Sequence, residues 1–270
     1  MDTRIELALQ TAGDGDGDDT QAAVAVEADP ADPGAPEGAT PPVLVLRGPL
    51  SQHTARPLVE RLCALLSQHG GVVADVSGVE LAHSGAVHAF SEAVARAGEW
   101  PDVRLALAAP DVTLAALLVS SRVAERVPVH PDVATAIAHL DDRPEVVRGY
   151  WHFGVDPRAP GDARGHVRRV CRRWGIDEDA REAAEIVVTE LVTNAVEHAS
   201  SRSVVEVWRR DRSLRLTVRD FDLTVLPDAH LPDPTAPRGR GLAMVAAVAQ
   251  SWGVDPHRDG KTVWAELETV

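Results

Sequence analysis

The residues with the clearest chemical potential are Glu190, Asn194 and His198, which recur every four positions in the run 185–198. That spacing puts them on one helix face, with Glu197 beside them, as a polar line on an otherwise apolar helix. Taken alone, such a line also fits a solvent-facing strip. Two further segments argue for a site. Val218-Arg219-Asp220 ends a later strand, and Arg238-Gly239-Arg240-Gly241-Leu242 opens a helix after a long Pro-rich loop over 223–240. Glycines at 239 and 241 allow backbone N–H groups to approach a phosphate, and the helix that follows adds a favourable dipole.

The elements that must position these residues follow from apolar periodicity. Residues 151–155 read as an edge strand, 160–174 as a helix, and 177–198 as a long helix with an acidic first turn. Three alternating strands follow at 204–209, 213–219 and 261–268, with a helix over 242–252 between the last two. This order predicts an α+β unit with helices on one face of a mixed sheet. Upstream, strands at 43–46, 71–76, 103–107 and 127–130 alternate with helices at 54–67, 84–98, 113–120 and 132–140. Such alternation predicts an α/β unit with a largely parallel sheet.

The chain has 270 residues and a formal net charge of −14. Residues 1–41 hold ten Asp or Glu against one Arg, so much of that charge sits in a Pro-, Ala- and Asp-rich stretch expected to be a disordered tail. The expected organisation is therefore a tail over 1–41, a first domain over 42–141, a linker over 142–149 and a second domain over 150–270. No run approaches the roughly 18–20 apolar residues needed to cross a bilayer, and no basic-then-apolar segment opens the chain. Two distant cysteines, Cys63 and Cys171, form neither a disulfide framework nor a metal knuckle, which points to a cytoplasmic setting. Lys261 is the only lysine, every other basic residue being Arg. Arg164, Arg168 and Arg172 share a helix face, either as a solvated strip or as a docking surface for an acidic partner. Aromatic residues are not interleaved with these arginines, so direct nucleic-acid binding has no support.

The run Glu190-Leu-Val-Thr-Asn194-Ala-Val-Glu-His198, then Asp220, then Gly239-Arg240-Gly241-Leu242, resembles the ATP-binding (GHKL, Bergerat-type) fold shared by gyrase-type ATPases, Hsp90 and histidine kinases. More closely, 150–270 is similar to the anti-sigma-factor serine kinases of the SpoIIAB/RsbW type, with Trp252-Gly253 and Gly260-Lys261-Thr262-Val263-Trp264 resembling their closing strands. The resemblance implies an α+β two-layer sandwich and assigns Asn194 to the Mg²⁺ that bridges the phosphates of ATP. It assigns Asp220 to the adenine amino group, and Glu190 to polarising the Ser or Thr hydroxyl that attacks the γ-phosphate. Gly239, Arg240 and Gly241 would hinge a lid over the phosphates, with His198, Leu242 and Thr262 lining the nucleotide site. One position departs from the pattern: Asp220-Phe221-Asp222 stands where the family often reads Asp-x-Gly, placing a carboxylate near the nucleotide.

The run Val73-Ala74-Asp75-Val76 through Ala82-His83-Ser84-Gly85 resembles a STAS domain, the α/β fold of anti-anti-sigma factors. In that family a hydroxyl at a helix start receives phosphate from the partner kinase. Ser84 matches that hydroxyl, while Ala82 and His83 replace the family's acidic residue and first hydroxyl position. Ser84 is thus either a phosphoacceptor or only a helix N-cap. Together the two resemblances imply a partner-switching regulator that phosphorylates a STAS protein, in trans or its own, and acts on a sigma factor, with homodimers as in the resembled kinases. The alternative is a docking module of weak or no catalytic activity, regulated by its fused STAS domain.

Overall fold

The computed structural model describes residues 4–10, 40–197, 199, 201–222 and 240–270, which divide into two compact units, Met1–Glu145 and Val146–Val270. The first unit has a five-stranded, wholly parallel sheet in the order β1 (Arg4–Ala8), β2 (Val43–Leu50), β3 (Gly71–Leu81), β4 (Arg104–Ala108) and β5 (Val129–His130). Helices α1 (Gln52–His69), α2 (His88–Ala97) and α3 (Val112–Ser120) belong with one face, where Leu44 and Leu46 join Leu58, Leu62, Phe90 and Leu118 in one core. Helix α4 (Val133–Ala138) covers the other face, over Val43, Val45, Val73 and Ala106. Both faces are buried, as the unbroken apolar runs in these strands require.

The expectation of a disordered tail over 1–41 is corrected at its start. Ile5 and Leu7 of β1 are buried while Arg4, Glu6 and Ala8 are exposed, a period of two that marks a half-buried strand. The Leu9 N–H donates to the Arg47 carbonyl at 2.7 Å, and a Cβ on Gly48, whose φ is +99°, would lie 2.5 Å from the Leu9 carbonyl oxygen. Glycine at 48 is what allows β1 to approach. Residues 11–39 lie outside the described part. Helix α1 begins two residues earlier than the periodicity predicts because Ser51 and Thr54 form a reciprocal capping box.

The second unit has a five-stranded sheet in the order β6 (Val146–Phe153), β7 (Ser203–Arg210), β8 (Ser213–Asp220), β10 (Gly260–Glu268) and β9 (Ser251–His257). Every neighbouring pair is antiparallel, so the mixed sheet expected from element order is not what forms. Helix α5 (Ala159–Arg173) packs on α6 (Glu178–Glu197), which crosses β7, β8 and β10 and also contacts α7 (Arg240–Val248). Along β8, Leu214, Leu216, Val218 and Asp220 are buried while Arg215, Thr217 and Arg219 are half-buried on the opposite face. The expected linker over 142–149 contributes half of β6. The helix expected over 242–252 stops at Val248, and Trp252 enters β9, whose Pro256 is tolerated because the strand lies at the sheet edge.

Candidate functional site

Asp177, immediately before α6, accepts the Ala180 N–H at 2.9 Å and the Val270 N–H at 3.0 Å. These backbone hydrogen bonds hold its carboxyl below the usual carboxylate range. Ala184, Val187, Val188, Leu191 and Ala195 are buried along α6, and Glu190 and Asn194 are half-buried, one turn apart on a single line. Glu190 meets the first turn of α7: a Cβ on Gly241 would come 2.6 Å from its Oε2. Absence of a side chain at 241 therefore leaves the space that the Glu190 carboxylate fills. Leu242 follows in the same turn and is half-buried; Arg240 is the first residue of α7. His198 and Gly239 lie outside the described residues.

Asp220 ends β8 with 5% of its surface exposed and is the one charged group in the core among the described residues. Burial of a carboxylate requires compensation, and two donors supply it. Lys261 Nζ lies 3.1 Å from Asp220 Oδ2, and the Asp222 N–H donates to Asp220 Oδ1 at 3.2 Å. The backbone of residue 222 thus donates to Asp220 whichever side chain it carries, as glycine there would also do. Beyond β8, the Phe221 N–H donates to Ser201 Oγ at 2.8 Å, fastening the strand end to the connection that follows α6.

Thr262 goes elsewhere. Lys261 faces Asp220 across β8 and β10, so its neighbour at 262 points to the other side, where His257 Nε2 lies 2.9 Å from Thr262 Oγ1. There it borders an open groove of about 440 Å³ with Tyr150, His152, Arg202, Arg219 and Phe221. The structure therefore brings Glu190, Gly241 and Leu242 together, sets Asn194 on the line of Glu190, places Asp220 on the helix-covered face, and separates Thr262 from all of them. Lys261 is the residue that motif reading missed. Its signals were its status as sole lysine and the two-residue alternation of β10.

In the first unit, Ser84 is exposed at the start of a 3₁₀ turn, Ser84–Val87, whose second half is buried, but it does not cap the turn. His83 does, its Nδ1 accepting the Gly85 N–H at 3.1 Å while its Nε2 meets Gln52 Nε2 at 3.0 Å. On α5, Arg168 holds Glu185 with two hydrogen bonds of 2.9 and 2.5 Å, which keep the Glu185 carboxyl below its usual range. Arg164 and Arg172 are exposed beside it. Burial pushes the Cys171 thiol up to about 12, so it is inert at neutral pH, and both cysteines are free. No helix among the described residues is long and apolar enough to cross a membrane.

Comparison with known proteins adds a family to this geometry. Residues 153–267 match the histidine kinase-like ATPase domain. Among solved structures, the crystal structure of the RsbU and RsbW domains of Rv1364c from Mycobacterium tuberculosis is similar at 19% identity and a TM-score of 0.36. The match covers 45% of this chain and 32% of that one, so this chain accounts for about a third of its length. No curated protein matches. The stretch that matches the histidine kinase-like ATPase domain is the one that carries Glu190, Asn194 and Asp220.

Proposed function

We propose that the chain is an ATP-dependent protein serine/threonine kinase of the anti-sigma-factor type, acting in a partner switch that controls transcription. Its second unit binds Mg·ATP, and its first unit is a STAS domain. The observation that carries this reading is the packing of Glu190 against the Gly241 turn that opens α7, in a unit whose β8 ends on the buried carboxylate of Asp220. Asp220 accepts the adenine amino group. The opening turn of α7 offers backbone N–H groups and a helix dipole to the phosphates. Asn194 suits Mg²⁺, which prefers oxygen donors and keeps much of its water shell; when bound, the ion neutralises charge on the β- and γ-phosphates.

Glu190 takes the proton of a Ser or Thr hydroxyl as that oxygen bonds to the γ-phosphorus and the bridge to the β-phosphate breaks, leaving ADP and a phosphoester. The hydroxyl belongs to a STAS partner, in trans or in this chain, and Ser84 is the candidate acceptor here. A sigma factor is the second partner, homodimers are the assembly, and the cytoplasm is the compartment.

The test is incubation of the full chain and a STAS-domain protein with labelled ATP. Acid-stable label on Ser or Thr is expected. Glu190→Ala should abolish transfer yet retain nucleotide, and Asp220→Asn should lose nucleotide. Full transfer by both variants would overturn the assignment. Retained docking with no transfer by the unaltered chain would favour a non-catalytic regulator, a reading that the occupied state of Asp220 also fits.

A further inference from the structure

The family pattern accounts for Asp220 but not for the cation held against it. Lys261 is the single lysine among 27 basic residues, and it occupies a half-buried position where the guanidinium used everywhere else would also carry charge. Its side chain is 12% exposed and that of Asp220 7%. The backbone fixes their meeting. Lys261 and Asp220 are direct cross-strand partners, and Gly260 (φ +146°) has no Cβ to collide with the Asp220 carbonyl and Phe221 Cα, so β10 begins pressed against the end of β8. With Asp222 N–H on the other oxygen, the arrangement presents an acceptor and an ammonium donor 3.1 Å apart.

Resting on the nucleotide reading above, we infer that Lys261 is a specificity-determining residue that reads the adenine ring beside Asp220. The Watson–Crick edge of adenine offers an amino donor next to an unprotonated ring nitrogen, N1. A carboxylate oxygen has more than one lone pair, so Asp220 keeps Lys261 while accepting the amino hydrogen. The ammonium, with three donors on a flexible stem, gives one to N1. Lysine suits this task better than arginine because a compact point charge leaves room for the base. A hypoxanthine or guanine ring in the same pose inverts both groups, setting a carbonyl against Asp220 and a ring N–H against Lys261, so the pair rejects it as well as accepting adenine.

The experiment measures binding of ATP, 1-deaza-ATP (which lacks only the N1 acceptor) and inosine triphosphate to the full chain, and of the first two to Lys261→Met. The unaltered chain should bind 1-deaza-ATP about tenfold more weakly than ATP, the scale of one hydrogen bond to a charged group, and inosine triphosphate more weakly still. Lys261→Met should bind ATP about tenfold more weakly and no longer distinguish it from 1-deaza-ATP. Melting of this variant without nucleotide reports its folding, and the analogue series on the unaltered chain does not depend on it. Equal affinity of the unaltered chain for ATP and 1-deaza-ATP would overturn the inference alone. So would tighter ATP binding by Lys261→Met, since Lys261 would then only be occupying Asp220. Failure of the unaltered chain to bind any of the three would overturn the nucleotide reading and this inference with it.

Discussion

The two units hold their chemistry-bearing groups in opposite ways. Ser84 stands exposed on a short turn that follows a strand buried on both faces, in a unit whose sheet is covered on both sides. In the second unit, Asp220 is buried at the end of β8 against Lys261, and Glu190 of α6 lies against the first turn of α7, so each is engaged by a named neighbour. The difference fits the division of labour proposed for them. A hydroxyl that is to be phosphorylated must reach into another protein's site, so it belongs on a protruding turn whose scaffold is rigid. A group that binds or activates must be shielded from water and positioned by packing, which makes it sensitive to substitutions that never touch a ligand.

The largest effects should come from the two cores, which test whether the units are energetically separate. Phe90 and Trp174 are among the largest fully buried side chains, one in each unit. Phe90→Ala and Trp174→Ala should each cost about 3–5 kcal/mol. Calorimetry should show the first lowering only the transition of the first unit and the second only that of the second. A single transition shifted equally by both substitutions would merge what the contact pattern divides.

Next in size is Gly241→Ala. The atom in the way is the far end of a flexible carboxylate, so Glu190 swings aside and stability changes by less than about 0.5 kcal/mol. The displaced base, however, should lower phosphoryl transfer about a hundredfold at unchanged nucleotide affinity. Wild-type transfer by this variant would remove Glu190 from the reaction in its present position.

These contrasts also mark what the sequence makes legible. Element type and order were readable for most helices and strands because apolar periodicity records burial directly. β1 was obscured because Ile5, Leu7 and Leu9 alternate for too few residues beside a long acidic tract. β9 was hidden because Trp252 continues the helical pattern of 242–252 until the backbone turns back. At the site, the line from Glu190 to Asn194 follows from helix geometry alone, whereas contact of Glu190 with Gly241 depends on how α7 docks, which no local pattern encodes. Thr262 was misplaced for a simpler reason. In a strand, a one-residue step changes the face, and the motif did not say which of 261 and 262 turns inward.

A smaller effect separates the helix caps of the two units. Asp132 caps α4 and Asp177 immediately precedes α6, each held below its ordinary value of 3.8, chiefly by a backbone hydrogen bond. Only Asp177 also anchors Val270. Asp177→Ala should cost the second unit about 1 kcal/mol near neutral pH, screening at this surface position keeping the loss at the low end for a cap. Because the folded-state pKa is depressed, this stabilisation is present above pH 3.8 and fades as pH falls through the folded value, so acid titration should bring the variant and the parent together. A difference that did not shrink as pH fell below 3.8 would assign the effect to packing.

The smallest change is expected where the functional consequence is greatest. Ser84 is exposed and leaves the capping of its turn to His83, so Ser84→Ala should shift the first unit's stability by less than about 0.5 kcal/mol. His83→Ala removes the side chain that accepts the Gly85 N–H and meets Gln52, and should cost more, about 1 kcal/mol. If Ser84 is the acceptor, the first substitution erases label from this chain without changing its melting. His83→Ala should leave the label while loosening the turn. Loss of label from both variants would mean that the kinase recognises the shape of the turn as well as its hydroxyl. Retention of label in Ser84→Ala would place the acceptor elsewhere and leave this turn as a purely structural start to α2.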